Sequence, residues 1–345
     1  MFNTLRTRIS PLKTALFTLL LVLGCTSKTA SEPPEIDIQQ RGIKANLDLE
    51  APEKGFQIEI LGTVIEPGDD IQWCEVVQLP GTGKSVFYIN RLESSMTRFG
   101  QNINVSAAIP GSETEANIEE GTRVTCQRAG EVFGEDLIDV ISSQQLYSDI
   151  RYPSGVGKVL VGGQKIVVGY HYFNTSDEAI PAKVKINFHL TEKNEVRKIA
   201  RTASFENFTI FTPPGGESTH LAECLVDKDI LVYSLTRRTR RWGTDFAVWF
   251  AGGDRDGEHI WTSSEWNRDT HYVLPGGPIR LKAGEGFRFE CDYNNTTSES
   301  LQFGVYATDE SCMLQANWWV VDEGEEVDEQ GCLLFTVDED GIARK

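Results

Sequence analysis

Four arginines occupy five positions, Arg237, Arg238, Arg240 and Arg241, in the segment YSLTRRTRRWGTDF (residues 233–246) of a 345-residue chain whose formal net charge is −18. A guanidinium keeps its proton at any physiological pH, offers five N–H donors in a planar fork and has no lone pair. It therefore suits carboxylate, phosphate or sulfate and cannot ligate a metal. On a strand, Arg238, Arg240 and Trp242 would project to one face, and Arg237, Thr239 and Arg241 to the other. Two forks beside the Trp242 indole would make a site for an anionic small molecule. The plainer expectation is that these arginines pair with some of the chain's own 51 acids and serve structure alone.

Other reactive residues are sparse. The five histidines, His171, His189, His220, His259 and His271, form no zinc-ligand spacing. His171 lies in GYHYFN with Tyr170 and Tyr172 on the opposite face, so it reads as a hydrogen-bonded strand histidine or as the anchor of one weak copper site. His189, between apolar residues in INFHLT, reads as solvent-facing. There is no GxSxG elbow, no HExxH and no dinucleotide fingerprint behind a strand. LPGTGKS at 79–85 ends like a phosphate loop, but the required first glycine is Gln78, and a hairpin turn accounts for its glycines. Six cysteines besides Cys25, namely Cys74, Cys126, Cys224, Cys291, Cys312 and Cys332, make no CxxC pair. In an exported chain they imply three disulfides, with about 15 possible connectivities.

The elements that must position these groups are strands. Residues 1–24 carry Arg6, Arg8 and Lys13 ahead of the apolar run ALFTLLLVLG and read as a signal peptide, too short to span a bilayer. VLGC places Cys25 as the lipidated first residue of a bacterial lipoprotein, and Thr26, not Asp, after it points to the outer membrane. Partners are then the membrane, through the lipid, and an envelope protein or anionic small molecule. The acidic body excludes nucleic acid. Residues 25–54 read as a flexible tether. Beyond it, period-two alternation recurs in Phe56, Ile58 and Ile60, in Val184, Ile186, Phe188 and Leu190, and in Phe287, Phe289, Cys291 and Tyr293. Turn signals such as EPGDD, TPPGG and KAGEG separate the strands. The expected fold is all-β, with a first sandwich over 55–195, a second over 196–322 and an acidic, solvated extension over 323–345.

Several of these strands together resemble the copper type II, ascorbate-dependent monooxygenases, the peptidylglycine α-hydroxylating and dopamine β-monooxygenase family with its bacterial relatives. The segments are DDIQWCEVVQLP (69–80), GQKIVVGYHYFN (163–174), KVKINFHLT, FTPPGGE (211–217) and FECDYNNTTSESLQFGVYATDESCML (289–314). The resemblance runs in order over roughly 55–320. It implies two tandem jelly-roll-like sandwiches, each presenting one copper site to a shared solvent-filled cleft. It also implies the pairs Cys74–Cys126, Cys291–Cys312 and Cys224–Cys332.

The same resemblance allows the copper ligands to be checked one by one. Where the family has adjacent histidines in an HHM-like strand, this chain has Gln101 and Asn102; the VHY histidine is kept as His171. The HxHHxG strand corresponds to RTRRWG, with Arg238 and Arg240 at the ligand positions. The methionine of DEMC is Ser311 here, with Met313 two residues on. One imidazole of the six ligands remains, and two fixed cations would repel Cu2+. The expectation is no bound cofactor and a non-catalytic binding or assembly component using the interdomain cleft or an outer surface. The alternative is an ascorbate-driven copper monooxygenase with an atypical site at His171.

Overall fold

The computed structural model describes residues 47–134, 136–268, 270–321, 332–334, 336–338 and 340–344. The expected signal peptide, Cys25 and most of the tether lie outside the described residues, as do residues 322–331 of the tail. The chain is all-β, built as two tandem jelly-roll-like β-sandwiches. The α-helices among the described residues are two five-residue turns, Glu113–Asn117 and Ala129–Phe133.

Alternation sets which face of each strand is buried. Ile58 and Ile60, then Val184, Ile186 and Phe188, and Phe287, Phe289, Cys291 and Tyr293 all turn inward, each large apolar side chain stabilising the fold by roughly 1.5–3 kcal/mol. In the first sandwich one sheet runs in the order Gly55–Ile65, Ile180–Leu190, Val86–Met96, Val156–Val161, Lys198–Ile199, with Tyr147–Arg151 also paired to Val86–Met96. Its partner sheet runs Arg123–Thr125, Asp70–Gln78, Lys165–Phe173, Gly100–Ala108, Leu137–Ser143.

The second sandwich has the sheet His271–Val273, Ile230–Arg238, Met313–Val320, Arg201–Asn207, Cys332–Leu334, with Ile279–Leu281 also on Ile230–Arg238. Facing it is the sheet His259–Ser263, Gly243–Ala251, Gly286–Asn294, Glu217–Leu225, Ile342–Arg344, Thr336–Val337. Each sandwich has its own apolar core. The first core also takes in Tyr233 and Trp319 from the second sandwich, where Tyr233 stacks on Trp319 at 5.5 Å and meets Tyr152 edge-on at 6.2 Å.

Three boundaries differ from the sequence expectation. The tether stops short of residue 54: Leu49 is buried, and its carbonyl accepts from Gln57 Nε2 at 2.9 Å and Lys185 Nζ at 3.1 Å. Lys198–Ile199 still pairs with the first sandwich, so the chain crosses at Ala200 and not at 195–196. The acidic tail is not wholly solvated. Cys332–Leu334 adds in parallel to Arg201–Asn207, and Ile342–Arg344 adds in parallel to Glu217–Leu225.

Cys74 is bonded to Cys126 and Cys291 to Cys312, with Cα atoms 5.0 and 5.9 Å apart. Cys224 is also in a disulfide. The side chain of Cys332, its expected partner, lies outside the described residues, although its backbone pairs with Phe205.

Candidate functional site

Three adjacent strands of the first sandwich, Asp70–Gln78, Lys165–Phe173 and Gly100–Ala108, bring Gln101, Asn102 and His171 together. Asn102 stands directly across from His171, just after a bulge at Gln101. His171 is only 2% exposed. Its Nε2 lies 2.5 Å from Asp70 Oδ1 and its Nδ1 lies 3.4 Å from Asn102 Nδ2. Burial lowers the imidazole pKa, opposed by the Asp70 hydrogen bond and aided by the charges of Arg240 and Arg238. The neutral ring therefore donates from Nε2 to the carboxylate and accepts at Nδ1 from the amide, so both nitrogens are engaged. Asp70 Oδ2 accepts from the Ala307 N–H, which belongs to the second sandwich, at 2.5 Å. Gln101 is held aside, its amide donating to Phe99 O at 3.3 Å.

Across the seam, strand Ile230–Arg238 lies beside Met313–Val320, with Arg238 opposite Met313. Arg238 Nε donates to Ser311 Oγ at 3.3 Å, and Nη2 lies 3.5 Å from Glu206 Oε1. With the Asn104 amide turned so that its nitrogen donates to Ser142 Oγ, its oxygen, from the first sandwich, accepts from Arg238 Nη1 at 2.9 Å. Glu206 is half-buried, its side chain 18% exposed, and desolvation raises its pKa against the pull of Arg238. The rest of this seam is also polar. Lys158 Nζ donates to Asp139 O and to Thr202 Oγ1, Ser204 Oγ donates to Asp139 Oδ2, and Gln144 Nε2 donates to Thr239 O at 2.5 Å.

Arg240 is 6% exposed, and its Nη1 donates to Val305 O at 3.0 Å and Tyr306 O at 2.5 Å. Burial, with the charge of Arg238, pushes its pKa down to about 10, which leaves it protonated at neutral pH. Trp242 does not share a face with Arg238 and Arg240. The strand ends at Arg238, and residues 240–243 form a turn closed by Gly243 N–H donating to Arg240 O at 3.0 Å. Gly243 signals that turn, since a Cβ there would come within 2.6 Å of Thr239 Oγ1. The Arg241 guanidinium lies over the Trp242 ring at 5.6 Å.

Glu310, to which the sequence assigns no role, and Arg237, on the face of the strand opposite Arg238, organise this region. Glu310, fully buried, accepts from the backbone N–H groups of Arg240 and Trp242, both at 2.8 Å, and of Ser311 at 3.3 Å. Its burial outweighs these bonds and raises its pKa to about 7. As one acid among 51, it carries no sequence signal. Arg237, 1% exposed, donates to Ser263 Oγ, Thr239 Oγ1, Trp266 O, Glu265 O and Arg268 O, fastening the segment 263–268 to its own sandwich.

The residues at the copper-ligand positions thus lie at one seam, but they do not line an open cleft. The cavity bounded by Gln101, Asn102, His171, Arg240 and Ala307 is about 30 Å3. The donor set at the copper-ligand positions does not fit copper: the Arg238 and Arg240 guanidiniums without lone pairs, the Ser311 hydroxyl, the Gln101 and Asn102 amides and the His171 imidazole with both nitrogens engaged. Among the described residues no three His, Cys, Asp or Glu side chains are placed to hold a metal ion.

A concavity of about 940 Å3 lies on the first sandwich and shares no residue with those positions. Its walls include Lys54, Arg91, Arg151, Tyr152, His189 and Arg197. His189 is not simply solvent-facing, for its Nε2 lies 2.5 Å from Glu93 Oε2.

No family model matches the chain, and no curated protein matches it. Among solved structures, PNGF-II is 9% identical with a TM-score of 0.29, over 77% of this chain and 66% of that one. This chain therefore spans slightly under two thirds of the length of PNGF-II. The STIV MCP is 9% identical with a TM-score of 0.26, over 79% and 94%. The PBCV-1 virus capsid is 7% identical with a TM-score of 0.21, over 81% and 98%. Likeness at this level carries no argument about what this chain does.

Proposed function

We propose that this chain is a lipid-anchored binding or assembly component of a bacterial cell envelope, on a scaffold that resembles the copper type II monooxygenases without their copper chemistry. The anchor is Cys25, in the outer membrane. The binding surface is an outer face of the first sandwich and not the seam. One observation carries this reading: the groups at the former ligand positions already bond to protein partners, some within one sandwich and some across the seam. His171 reaches Ala307 through Asp70, Arg238 meets Asn104, and Arg240 holds the 305–306 carbonyls within its own sandwich. Opening those bonds to admit a metal or an anion would leave buried charges unpaired.

Copper content tests the proposal. The exported protein is titrated with Cu(I) and Cu(II), stripped with a competing chelator and assayed for oxygen consumption with ascorbate. The expected result is no retained copper and no consumption beyond that of free copper. Two coppers per chain would refute the reading. One copper, lost in His171→Ala, would establish the atypical monooxygenase instead. Mass spectrometry of the N-terminal peptide tests the anchor, which fails if the mature chain starts elsewhere without lipid.

A further inference from the structure

Arg91 and Arg151 line the groove of the first sandwich and are aimed into it from behind by carboxylates. Asp149 accepts from Arg91 Nε at 2.6 Å and Nη2 at 2.8 Å, and from Arg151 Nε at 3.1 Å and Nη2 at 2.8 Å. Glu93 accepts from Arg91 Nη2 at 2.7 Å, Tyr147 Oη at 2.8 Å, Asn187 Nδ2 at 3.2 Å and His189 Nε2 at 2.5 Å. Burial alone would raise both carboxyls, but these hydrogen bonds outweigh it and hold them below their ordinary values. Both remain anions that fix the arginines in place.

The bonds use the Nε and Nη2 edges. Among the described residues, the Nη1 group of neither arginine has a partner. Arg197 completes the wall. It makes no ion pair among the described residues and lies over Gly155, where φ is +80° and a Cβ would stand 3.0 Å from its Nε. On a chain of net charge −18, the Nη1 group of Arg91, the second edge of Arg151 and the whole guanidinium of Arg197 therefore meet in one concavity. Of the nearby acids, Glu195 is tied to Thr191 and to the Glu192 N–H, and Glu192 is tied to Lys54; Glu53 stands among the lining residues. Exposed Asn90, Ser154 and Asn194 add neutral amides and a hydroxyl; of the apolar lining residues, Tyr152 and Val156 are buried and Pro153 and Leu190 half-buried. The volume of about 940 Å3 lies within the range of small-molecule sites.

We infer that this groove binds an acidic oligosaccharide, its carboxylate or sulfate held by the guanidinium edges and its hydroxyls by the amides and serine. Forked donors recognise the oxyanion; the exposed amides and hydroxyl between them select a hydroxylated carrier. The inference rests on the binding reading above and names its ligand class.

Calorimetry on the full exported chain in detergent tests it, using trigalacturonate, a sulfated disaccharide, a neutral trisaccharide and inorganic phosphate. The acidic sugars are expected to bind, more weakly as salt rises. The neutral sugar and phosphate should bind at least about tenfold more weakly. Arg151→Gln and Arg197→Gln should each cost about tenfold in affinity with an unchanged melting temperature, and Arg197→Lys should restore only part. Equal binding of acidic and neutral sugars, variants that bind as the parent does, phosphate bound as tightly as the sugars, or no binding at all would each overturn the inference. The copper titration reads the other proposal separately. A copper-loaded protein that still takes acidic sugar defeats the non-catalytic reading alone, and a copper-free protein that ignores every sugar defeats the groove alone.

Discussion

The seam and the groove are built from the same side chain and use it in opposite ways. At the seam, Arg240 gives its Nη1 to two backbone carbonyls, with its Nε buried beside them, and Arg238 meets Ser311, Glu206 and Asn104. At the groove, carboxylates take Nε and Nη2 of Arg91 and Arg151 and, among the described residues, leave both Nη1 groups free. An arginine cluster is therefore not in itself a binding site. What decides is where the five N–H donors end, and that depends on partners far away in the chain.

The comparison breaks first at Arg238. Arg238→Met would strand the half-buried Glu206 carboxylate and should cost about 3 kcal/mol in chemical denaturation. Because desolvation already raises the Glu206 pKa, that loss should be smaller in acid, where the carboxyl takes up a proton. Adding Glu206→Gln should recover part of it. An equal loss at all pH values, with no recovery in the double variant, would show that Glu206 is not the group left stranded.

Glu310 supplies a pH test of about 1–3 kcal/mol. Its folded-state pKa of about 7 lies above the ordinary 4.5, so the folded state holds this proton more tightly. The contribution is complete below pH 4.5 and is lost as the pH rises through about 7. Glu310→Gln should flatten the dependence in that window, at the cost of one acceptor for the 240–242 turn. An unchanged pH profile would mean that the three N–H donors keep the carboxylate charged throughout.

At the groove, Arg151→Gln should change stability by no more than about 0.5 kcal/mol, because the side chain is 65% exposed. A loss as large as that of Arg238→Met would erase the distinction between the two regions.

Much of the fold could be read from period-two apolar residues: the inward faces of Gly55–Ile65, Ile180–Leu190 and Gly286–Asn294 follow the alternation seen in the sequence. The placement of Gln101, Asn102, His171, Arg238 and Ser311 around one seam followed only from the resemblance. What no local pattern revealed is how donors are satisfied. Arg237 is buried because segment 263–268 folds its carbonyls onto the guanidinium, an arrangement set about thirty residues downstream. Trp242 was assigned to the strand face because alternation was extended past Arg238, although Gly243 marks a turn. The groove arginines went unremarked, since Arg91, Arg151 and Arg197 are scattered in sequence and become neighbours only when their strands pair.

The last strands of the second sandwich carry a consequence for how the protein is made. Each of its two sheets receives a parallel strand from beyond residue 331, on Arg201–Asn207 and on Glu217–Leu225. These contacts span more than a hundred residues, so they form late. During synthesis the first sandwich can finish while the second waits with two bare edges, the kind of surface on which neighbouring chains pair wrongly. A nascent chain halted a dozen residues early would thus present a completed lobe joined to a sticky one, and its yield should depend on how crowded its surroundings are.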